Sequence, residues 1–148
     1  MGTEENKATL KRYYEEVFNN NDLSKWNEMV DEDYVLHAAV DSGLRGLEQL
    51  KQTQVNRLAL APDTKITIDE VIGEGDGLAV RGDFVGTHTG EYQGIPPTGK
   101  KFTRAYMGFY RFKNGKIAEV RTVQNVLGMF QQLGVTPPAA PVSASAGR

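Results

Sequence analysis

The spacing of apolar residues changes along the chain, from a helical period in the first part to strand-like alternation after about residue 65. The clearest amphipathic helix carries apolar residues at Leu10, Tyr13, Tyr14, Val17 and Phe18. Thr3 is its predicted N-cap, because Glu4 and Glu5 then lie at the positive end of the helix dipole. The pattern therefore predicts a first helix that ends at the polar run 19–22.

Three further elements are predicted before residue 65. Asp22 is expected to cap a short helix over residues 23–30, and residues 34–40 read as a strand. A third helix is predicted over residues 46–60, because Pro62 cannot continue it. Its apolar stripe is thin, and the expected inward residues are Leu47, Leu50 and Leu58.

The second part of the chain reads as strands. They are predicted over residues 66–72, 78–87, 101–112 and 116–124, and a short helix follows over 126–133. Asn114 and Gly115 tolerate the two positive φ values of a type I′ turn, so they predict a hairpin between the last two strands. Helices first and strands afterwards indicate the α+β class, in which helices cover one face of a curved, mainly antiparallel sheet.

One domain over residues 1–134 accommodates all of these elements. Residues 135–148 are rich in Pro, Ala and Ser, which predicts a disordered tail.

The last strand is the most informative for function. Strict alternation would place Ile117, Glu119, Arg121, Val123 and Asn125 on one face. If that face lines a pocket, a ligand meets Arg121 and Asn125. If the face is solvated, Arg121 forms an ordinary ion pair with Glu119 or Glu70.

Composition excludes several function classes. The chain has 17 basic and 19 acidic residues in 148, without a concentrated basic face, so nucleic acid is not an expected partner. It has no cysteine, which excludes disulfides and zinc–thiolate sites. There is no long apolar run and no signal-peptide pattern, so neither a membrane span nor secretion is expected, and a cytoplasmic location is the default expectation.

The chain resembles the SnoaL-like polyketide cyclase and ester cyclase family, within the nuclear transport factor 2-like superfamily. The segments that carry the resemblance are 6–19, 33–37, 86–92, 94–100, 114–117 and 127–134. The resemblance implies a cone-shaped α+β barrel with an internal apolar cavity, no metal and no organic cofactor. It also implies a small hydrophobic carbonyl or aromatic molecule as the partner, and a homodimer formed through the sheets.

Family cyclases use an Asp near the end of the last strand as acid and base, four residues after a Trp. This chain has Asn125 and Arg121 at the matching positions. Because Asn cannot exchange a proton near neutral pH, Asn125 is predicted to hydrogen-bond an oxygen of the substrate, and Arg121 to stabilise an enolate. His37, which matches a family position facing the cavity, is the remaining candidate for proton transfer, with a structural His at a strand end as the alternative.

Other side chains are weaker candidates. His88 begins a long loop and is placed at the pocket mouth as a substrate-binding residue, with a solvated loop His as the alternative. A metal held by His37, His88 and either Asp83 or Glu91 is disfavoured, because the sequence lacks tight ligand spacing.

Aromatic residues complete the predicted site. Tyr106 and Trp26 are further substrate-binding candidates, although helical spacing favours Trp26 as core. In the strand 106–112, Tyr106 and Tyr110 share one face and Met107 and Phe109 the other, and the sequence does not say which face lines the pocket. An apolar outer face bearing Phe109 or Tyr110 predicts a dimer.

Three functions fit these expectations. The first is a cofactor-free cyclase-type enzyme that moves protons on a carbonyl-rich or aromatic substrate. The second is a hydroxylase-type enzyme, in which the pocket stabilises a substrate enolate that reacts with oxygen. The third is a binding module that performs no chemistry.

Overall fold

The computed structural model of the protein describes residues 2–37 and 42–137. Four α-helices and five strands follow one another as α1 (Thr3–Arg12), α2 (Trp26–Met29), β1 (Val30–His37), α3 (Gly46–Leu60), β2 (Lys65–Glu74), β3 (Gly77–Thr87), β4 (Lys101–Lys113), β5 (Lys116–Gln124) and α4 (Val126–Leu133). A π-helical segment (Tyr13–Asn19) continues α1, and a 3₁₀ turn (Leu23–Lys25) precedes α2. The predicted α+β class is confirmed.

The five strands form one sheet in the order β1-β5-β4-β3-β2. Every neighbouring pair is antiparallel except β1 and β5, which run parallel. The α1 residue Leu10 and the π-helical Phe18 belong to the same buried cluster as the sheet residues Val80 and Tyr110. The N-terminal helices therefore cover the inner face of a curved sheet, as predicted.

The Asn114-Gly115 turn joins β4 to β5 as the sequence predicts. Its residues have φ values of 51° and 79°, the two positive values that a type I′ turn requires. Asn is among the few non-glycine residues that adopt this region without a large penalty.

Three strand pairs contain a change of register. In the β4–β5 pair, Phe112 lies opposite Ile117 but Arg111 lies opposite Glu119, so Ala118 is an extra residue in β5. The β2–β3 pair likewise has one extra residue, Asp69, in β2, and the β1–β5 pair has a longer irregularity between Val30 and Val35. Bulges of this kind bend a strand and increase its twist, which accounts for the curvature of the sheet.

The helices differ from the sequence prediction at several bounds. Gly2, rather than Thr3, is the N-cap of α1, and the Thr3 hydroxyl donates a hydrogen bond to the carbonyl of Gly75. Asp22 does cap the second helical segment, accepting from Ser24 N at 3.0 Å, but that segment ends at Met29 because Val30 already begins β1. The predicted continuation of β1 to residue 40 lies outside the described residues.

The inner side of α3 is more polar than its predicted stripe of Leu47, Leu50 and Leu58. Only Leu50 of these three is fully buried, and the other buried positions include Gln49, Gln54 and Arg57. Gln49 exchanges two hydrogen bonds of 2.7 Å with the backbone of Leu36 in β1. The polar side chains of α3 thus satisfy backbone groups of the segments beside it.

Arg57 makes three such contacts. Its guanidinium donates to the carbonyls of Phe18 and Thr64 and to the side-chain oxygen of Gln54, each at 2.8 Å. It also lies over the Phe18 ring, 4.4 Å from the centroid. This buried cation holds the end of the π-helical segment and the start of β2 against α3.

The end of the described chain extends the domain slightly. Val135 packs against a second core cluster that includes Phe130 and Leu133 of α4, and its N–H donates to the Phe130 carbonyl. The predicted disordered tail lies outside the described residues from position 138 onward.

We expect Arg57→Met to lower the free energy of unfolding by about 2–5 kcal/mol, because it removes the donor to the buried oxygens of Thr64 and Gln54 and one of the donors to the Phe18 carbonyl. Arg81→Met is the matched control, because Arg81 is exposed and pairs only with Asp69 and Glu70 on the surface. The control should cost about 0.5 kcal/mol or less. Urea unfolding measures both variants, and equal losses would contradict the anchoring role of Arg57.

The outer sheet face exposes a patch formed by Ile72, Met107, Phe109 and Val123, and Val123 keeps 76% of its accessible surface. Tyr110, the other residue named for this face, is buried on the inner face. A homodimer through the outer face stays a prediction.

Val123→Lys should shift the protein to monomer in light scattering across a concentration series, whereas Thr67→Lys, elsewhere on the same face, should not. A native protein that is monomeric at every concentration would contradict it.

Candidate functional site

A cavity of about 500 Å³ lies between the inner face of the sheet, the π-helical segment and α3. Its volume falls within the range of pockets that hold small organic ligands. Its deep part is aromatic, with Phe18, Phe84 and several tyrosines, and its mouth is formed in part by the exposed Asn56 and the half-exposed Thr122 and Gln124. The predicted internal cavity is therefore present.

All six tyrosines of the chain line this cavity: Tyr13, Tyr14, Tyr34, Tyr92, Tyr106 and Tyr110. The hydroxyls of Tyr14, Tyr106 and Tyr110 contact one another in a closed group, and the Tyr14–Tyr106 distance is 3.1 Å. Burial raises the pKa of each of these three phenols, and the neighbouring phenols add to this for Tyr14 and Tyr110. At neutral pH the group consists of neutral O–H donors.

Gly108 makes room for this hydroxyl group. It lies between Tyr106 and Tyr110 on the inner face of β4, and a Cβ atom there would come within 2.6 Å of the Tyr106 hydroxyl oxygen and 2.9 Å of Tyr110 Cε1. A larger residue would force both rings to move. The absence of a side chain at Gly108 therefore allows the Tyr106 and Tyr110 hydroxyls to contact each other.

Two arginines also line the cavity, and they differ in how their donors are used. The Arg57 donors all bind oxygens of the protein itself, as described above. Arg104, from β4, lies 4.7 Å over the Phe84 ring and has a 3.5 Å contact from Nη1 to the Met129 sulfur. Its Nε is buried without any hydrogen-bond partner, and burial lowers the pKa of its guanidinium.

The ionisable groups of the cavity wall share one property. Among the residues that the structure describes, those lining the cavity include tyrosines and arginines but no Asp, Glu or His. Neutral phenols and guanidinium ions donate hydrogen bonds and favour negative charge on a bound oxygen. The wall therefore suits a ligand on which an oxygen becomes negative.

The predicted placement of Arg121 in the cavity is wrong. Its side chain is 58% exposed on the outer face, 3.2 Å from Glu119, as in the solvated-face alternative. The reason is the extra residue Ala118, after which the alternation of β5 is reversed. Val120, Thr122 and Gln124 face the cavity instead.

His37 also lies on the outer face. Residues Tyr34 and Leu36 of β1 point into the cavity, so their neighbour His37 points away, and it pairs in register with Arg121. Its Nε2 lies 2.8 Å from Glu119, and this contact, followed by Arg121, lowers the pKa of the Glu119 carboxyl. The expectation that His37 shares the cavity with Arg121 and Asn125 is therefore wrong.

Asn125 has a structural contact that the sequence reasoning did not anticipate. It is the N-cap of α4, and its side-chain oxygen accepts a hydrogen bond from Gly128 N at 2.9 Å. The side chain is exposed at the cavity mouth, beside the lining residues Gln124 and Val126. Any catalytic role of His37, Arg121 or Asn125 would have to be exercised outside the cavity wall.

The three predicted substrate-binding residues are placed differently from one another. Tyr106 lines the cavity, and its role in substrate binding stays a prediction. Trp26 is partly buried against the main core cluster and does not line the cavity. His88 is fully buried rather than placed at the mouth, and its Nδ1 accepts from Thr98 N at 3.3 Å within the loop between β3 and β4.

Neither histidine belongs to a metal site in the described parts of the chain, where no three His, Cys, Asp or Glu side chains are grouped closely enough to hold an ion. Over the same residues, no helix is both long and apolar enough to span a bilayer.

Sequence reasoning missed Arg104, Gln124 and the tyrosine hydroxyl group. One signal was available in β5, where the apolar residues Ile117 and Val120 are three positions apart. A single face of a regular strand cannot bury both.

The cap geometry predicts how position 125 responds to substitution. Asn125→Ala should cost about 0.5–2 kcal/mol, because it removes the acceptor for Gly128 N. Asn125→Asp should leave stability within about 0.5 kcal/mol of native or raise it slightly, because a carboxylate is equally good at an N-cap and suits the helix dipole. Chemical denaturation distinguishes the two variants, and equal destabilisation by both would contradict the cap assignment.

Comparison with solved structures places the fold among known proteins. IdmH of Streptomyces antibioticus, a proposed polyketide cyclase, superposes with a TM-score of 0.78 at 31% identity, over 88% of this chain and 99% of that chain. AclR of Streptomyces galilaeus, a proposed hydroxylase, superposes with a TM-score of 0.76 at 25% identity, over 92% of this chain and 100% of that chain. The cone fold expected from the sequence is confirmed.

Sequence comparison gives the same family. The aklanonic acid methyl ester cyclase DnrD of Streptomyces peucetius is 29% identical over 129 residues, which cover 84% of this chain and 88% of that protein. Residues 8–133 match the profile of the SnoaL-like polyketide cyclases. The chain therefore belongs to the SnoaL-like polyketide cyclase family.

Proposed function

We propose that the protein is a cofactor-free, cyclase-type enzyme that stabilises an enolate on an apolar, carbonyl-rich or aromatic substrate held in the cavity. The observation that carries the proposal is the donor-rich wall, with neutral phenols and guanidinium ions facing a largely aromatic space. Membership of a polyketide cyclase family and the cyclase names of the relatives support the same reaction class.

The proposed reaction is an intramolecular aldol closure. A C–H between two carbonyls loses its proton to solvent at the cavity mouth, and the electron pair moves onto the carbonyl oxygen as an enolate. The enolate carbon then forms a C–C bond to a second carbonyl carbon, whose π electrons move onto its oxygen. That oxygen takes a proton, from a tyrosine hydroxyl that solvent then reprotonates, and the ring is complete.

The tyrosine hydroxyl group has the position and protonation state for this role. Tyr14, Tyr106 and Tyr110 are neutral because burial raises their pKa values, so each can donate. In the free protein these hydroxyls use one another as partners. An enolate oxygen is a stronger acceptor than a phenol, and it would draw one donor out of the group.

A second candidate function is oxygen-dependent hydroxylation of the same enolate. The specific observation in its favour is the superposition with AclR. The two reactions begin with the same enolate and differ only in whether it attacks a carbonyl or molecular oxygen. Oxygen consumption by the native protein with an enolisable substrate would favour hydroxylation.

The proposal is tested with methyl 3-(2-naphthyl)-3-oxopropanoate, a flat aromatic β-keto ester. The native protein should accelerate exchange of its central CH₂ hydrogens with deuterium, measured by NMR. Tyr106→Phe should reduce this acceleration by about 10²-fold, the usual effect of losing one oxyanion donor.

His37→Ala and Arg121→Gln serve as controls on the outer face, and both should retain native exchange. Absence of acceleration by the native protein would refute the proposal. Loss of acceleration in His37→Ala, with native acceleration in Tyr106→Phe, would assign the proton transfer to His37 instead of the tyrosines. Tight binding of the probe without any exchange would favour the binding module.

A further inference from the structure

From Arg104, whose guanidinium lines the cavity without an ion-pair partner among the described residues and whose buried Nε has no acceptor, we infer a subsite for an ionised oxygen, so that the preferred ligand carries a carboxylate or an ionised enol or phenol at that end. This inference rests on the proposed function, because it specifies the substrate class of the same cavity. It adds a permanent negative charge to a ligand that has so far been described only as apolar and carbonyl-rich.

Arg104 has unused hydrogen-bonding capacity. No carboxylate of the described residues forms an ion pair with it, whereas Arg12, Arg81, Arg111 and Arg121 each pair with an acidic side chain. Its Nε is buried and unbonded. A buried donor of a charged group is costly to leave unsatisfied, so a bound acceptor at this position gains more than it would on the surface.

Arg57 lines the same cavity but uses its donors differently from Arg104. The Arg57 donors reach two backbone carbonyls and one side-chain amide oxygen, so its presence in the cavity is explained by the framework. Arg104 instead lies against the Phe84 ring and a weakly accepting sulfur, and it interacts electrostatically with Tyr92. The framework therefore does not account for the Arg104 charge, and a ligand oxygen would.

Gln124 is the neighbour of Arg104 across the β4–β5 strand pair. Gln124 lies opposite Tyr106, which places it diagonally from Arg104 on the inner face. Its side-chain oxygen is also buried without a partner. Two residues that line one cavity thus each carry a buried polar atom without a partner, one a donor and the other an acceptor, an arrangement complementary to an ionised oxygen beside a hydroxyl.

Along β4, Arg104 precedes Tyr106 and Tyr110 of the tyrosine hydroxyl group on the same inner face. Tyr106 lies two residues farther along the strand, and Tyr110 six residues farther. Arg104 is therefore near the start of β4, beside the end of β5 that leads into α4, and the hydroxyl group lies toward the middle of β4. A flat ligand anchored at Arg104 would extend its carbonyls toward Tyr106.

The test compares anthraquinone-2-carboxylate with its methyl ester by isothermal titration calorimetry at pH 7. The native protein should bind the carboxylate at least about tenfold more tightly than the ester, in keeping with a charged hydrogen bond. Arg104→Gln should lose that preference while its affinity for the ester stays within about threefold of native. Arg104→Lys, which keeps the charge, should retain part of the preference.

The matched control is Arg111→Gln, which removes the same charge from the same strand but on the outer face, where Arg111 pairs with Asp76. It should keep the native preference for the carboxylate. A second arm at pH 9 compares 2-hydroxyanthraquinone, whose conjugated hydroxyl ionises near neutral pH, with its methyl ether. Tighter binding of the hydroxy compound than of the ether by the native protein, lost in Arg104→Gln, would extend the subsite to an ionised phenol, and equal binding would restrict it to a carboxylate.

The outcomes separate this inference from the proposed function. Equal binding of carboxylate and ester by the native protein, or a carboxylate preference that survives in Arg104→Gln, overturns the anion subsite and leaves the cyclase proposal intact. Failure of the native protein to bind either probe counts against both. If Arg104→Gln binds neither the ester nor the carboxylate and its melting temperature is unchanged, Arg104 maintains the shape of the cavity and does not recognise the charge of the ligand, which also overturns the anion subsite.

Discussion

The extra residue Ala118 in β5 determines which side chains reach the cavity. Because a strand alternates with period two, one inserted residue exchanges the inner and outer sets for every later position. Thr122 and Gln124 thereby face the aromatic cavity, while Glu119 and Arg121 join His37 on the outer face. The same bulge curves the sheet, so the shape of the cavity and the chemistry of its wall have a common origin.

The curved sheet encloses a cavity only because α3 is held across it. That attachment depends on hydrogen bonds from buried polar side chains to backbone groups, since Leu50 is the one fully buried leucine in the body of the helix before its last residue, Leu60. Gln49 satisfies the backbone of β1 at Leu36, and Gln54 and Arg57 satisfy carbonyls at the end of the π-helical segment. Such bonds fix a geometry more narrowly than apolar contact does, which suits a helix that forms one wall of a ligand site.

Sequence patterns predicted the class and nearly every strand, and α3 and α4 were predicted with the bounds that the structure shows, whereas the cone fold was predicted from the family resemblance. These elements have strong local signals, such as Pro62 after α3 and Asn114-Gly115 between β4 and β5. The π-helical segment has no comparable signal, because its apolar spacing also fits an α-helix.

The functional residues were harder to predict for a different reason. The sequence prediction assumed that β5 alternates regularly across Ala118. The burial of both Ile117 and Val120, however, requires a bulge between them. Family positions then directed attention to Arg121 and Asn125, whose contacts here are with Glu119 and with the N-terminus of α4. Arg104 escaped notice because an arginine in an alternating strand is ordinarily an exposed residue, and only the register of β4 shows that even-numbered positions face inward.

A cavity wall that donates but does not accept protons constrains the substrate. Phenols with raised pKa values and guanidinium ions stabilise negative charge on oxygen, yet neither removes a proton from carbon at neutral pH. In the proposed reaction the proton therefore leaves to solvent, which requires a C–H made acidic by two flanking carbonyls, and the cavity mouth at Thr122 and Gln124 is open to water. The absence of a carboxylate from the described wall is then compatible with catalysis for substrates of this acidity, and it would disfavour any substrate with only one activating carbonyl.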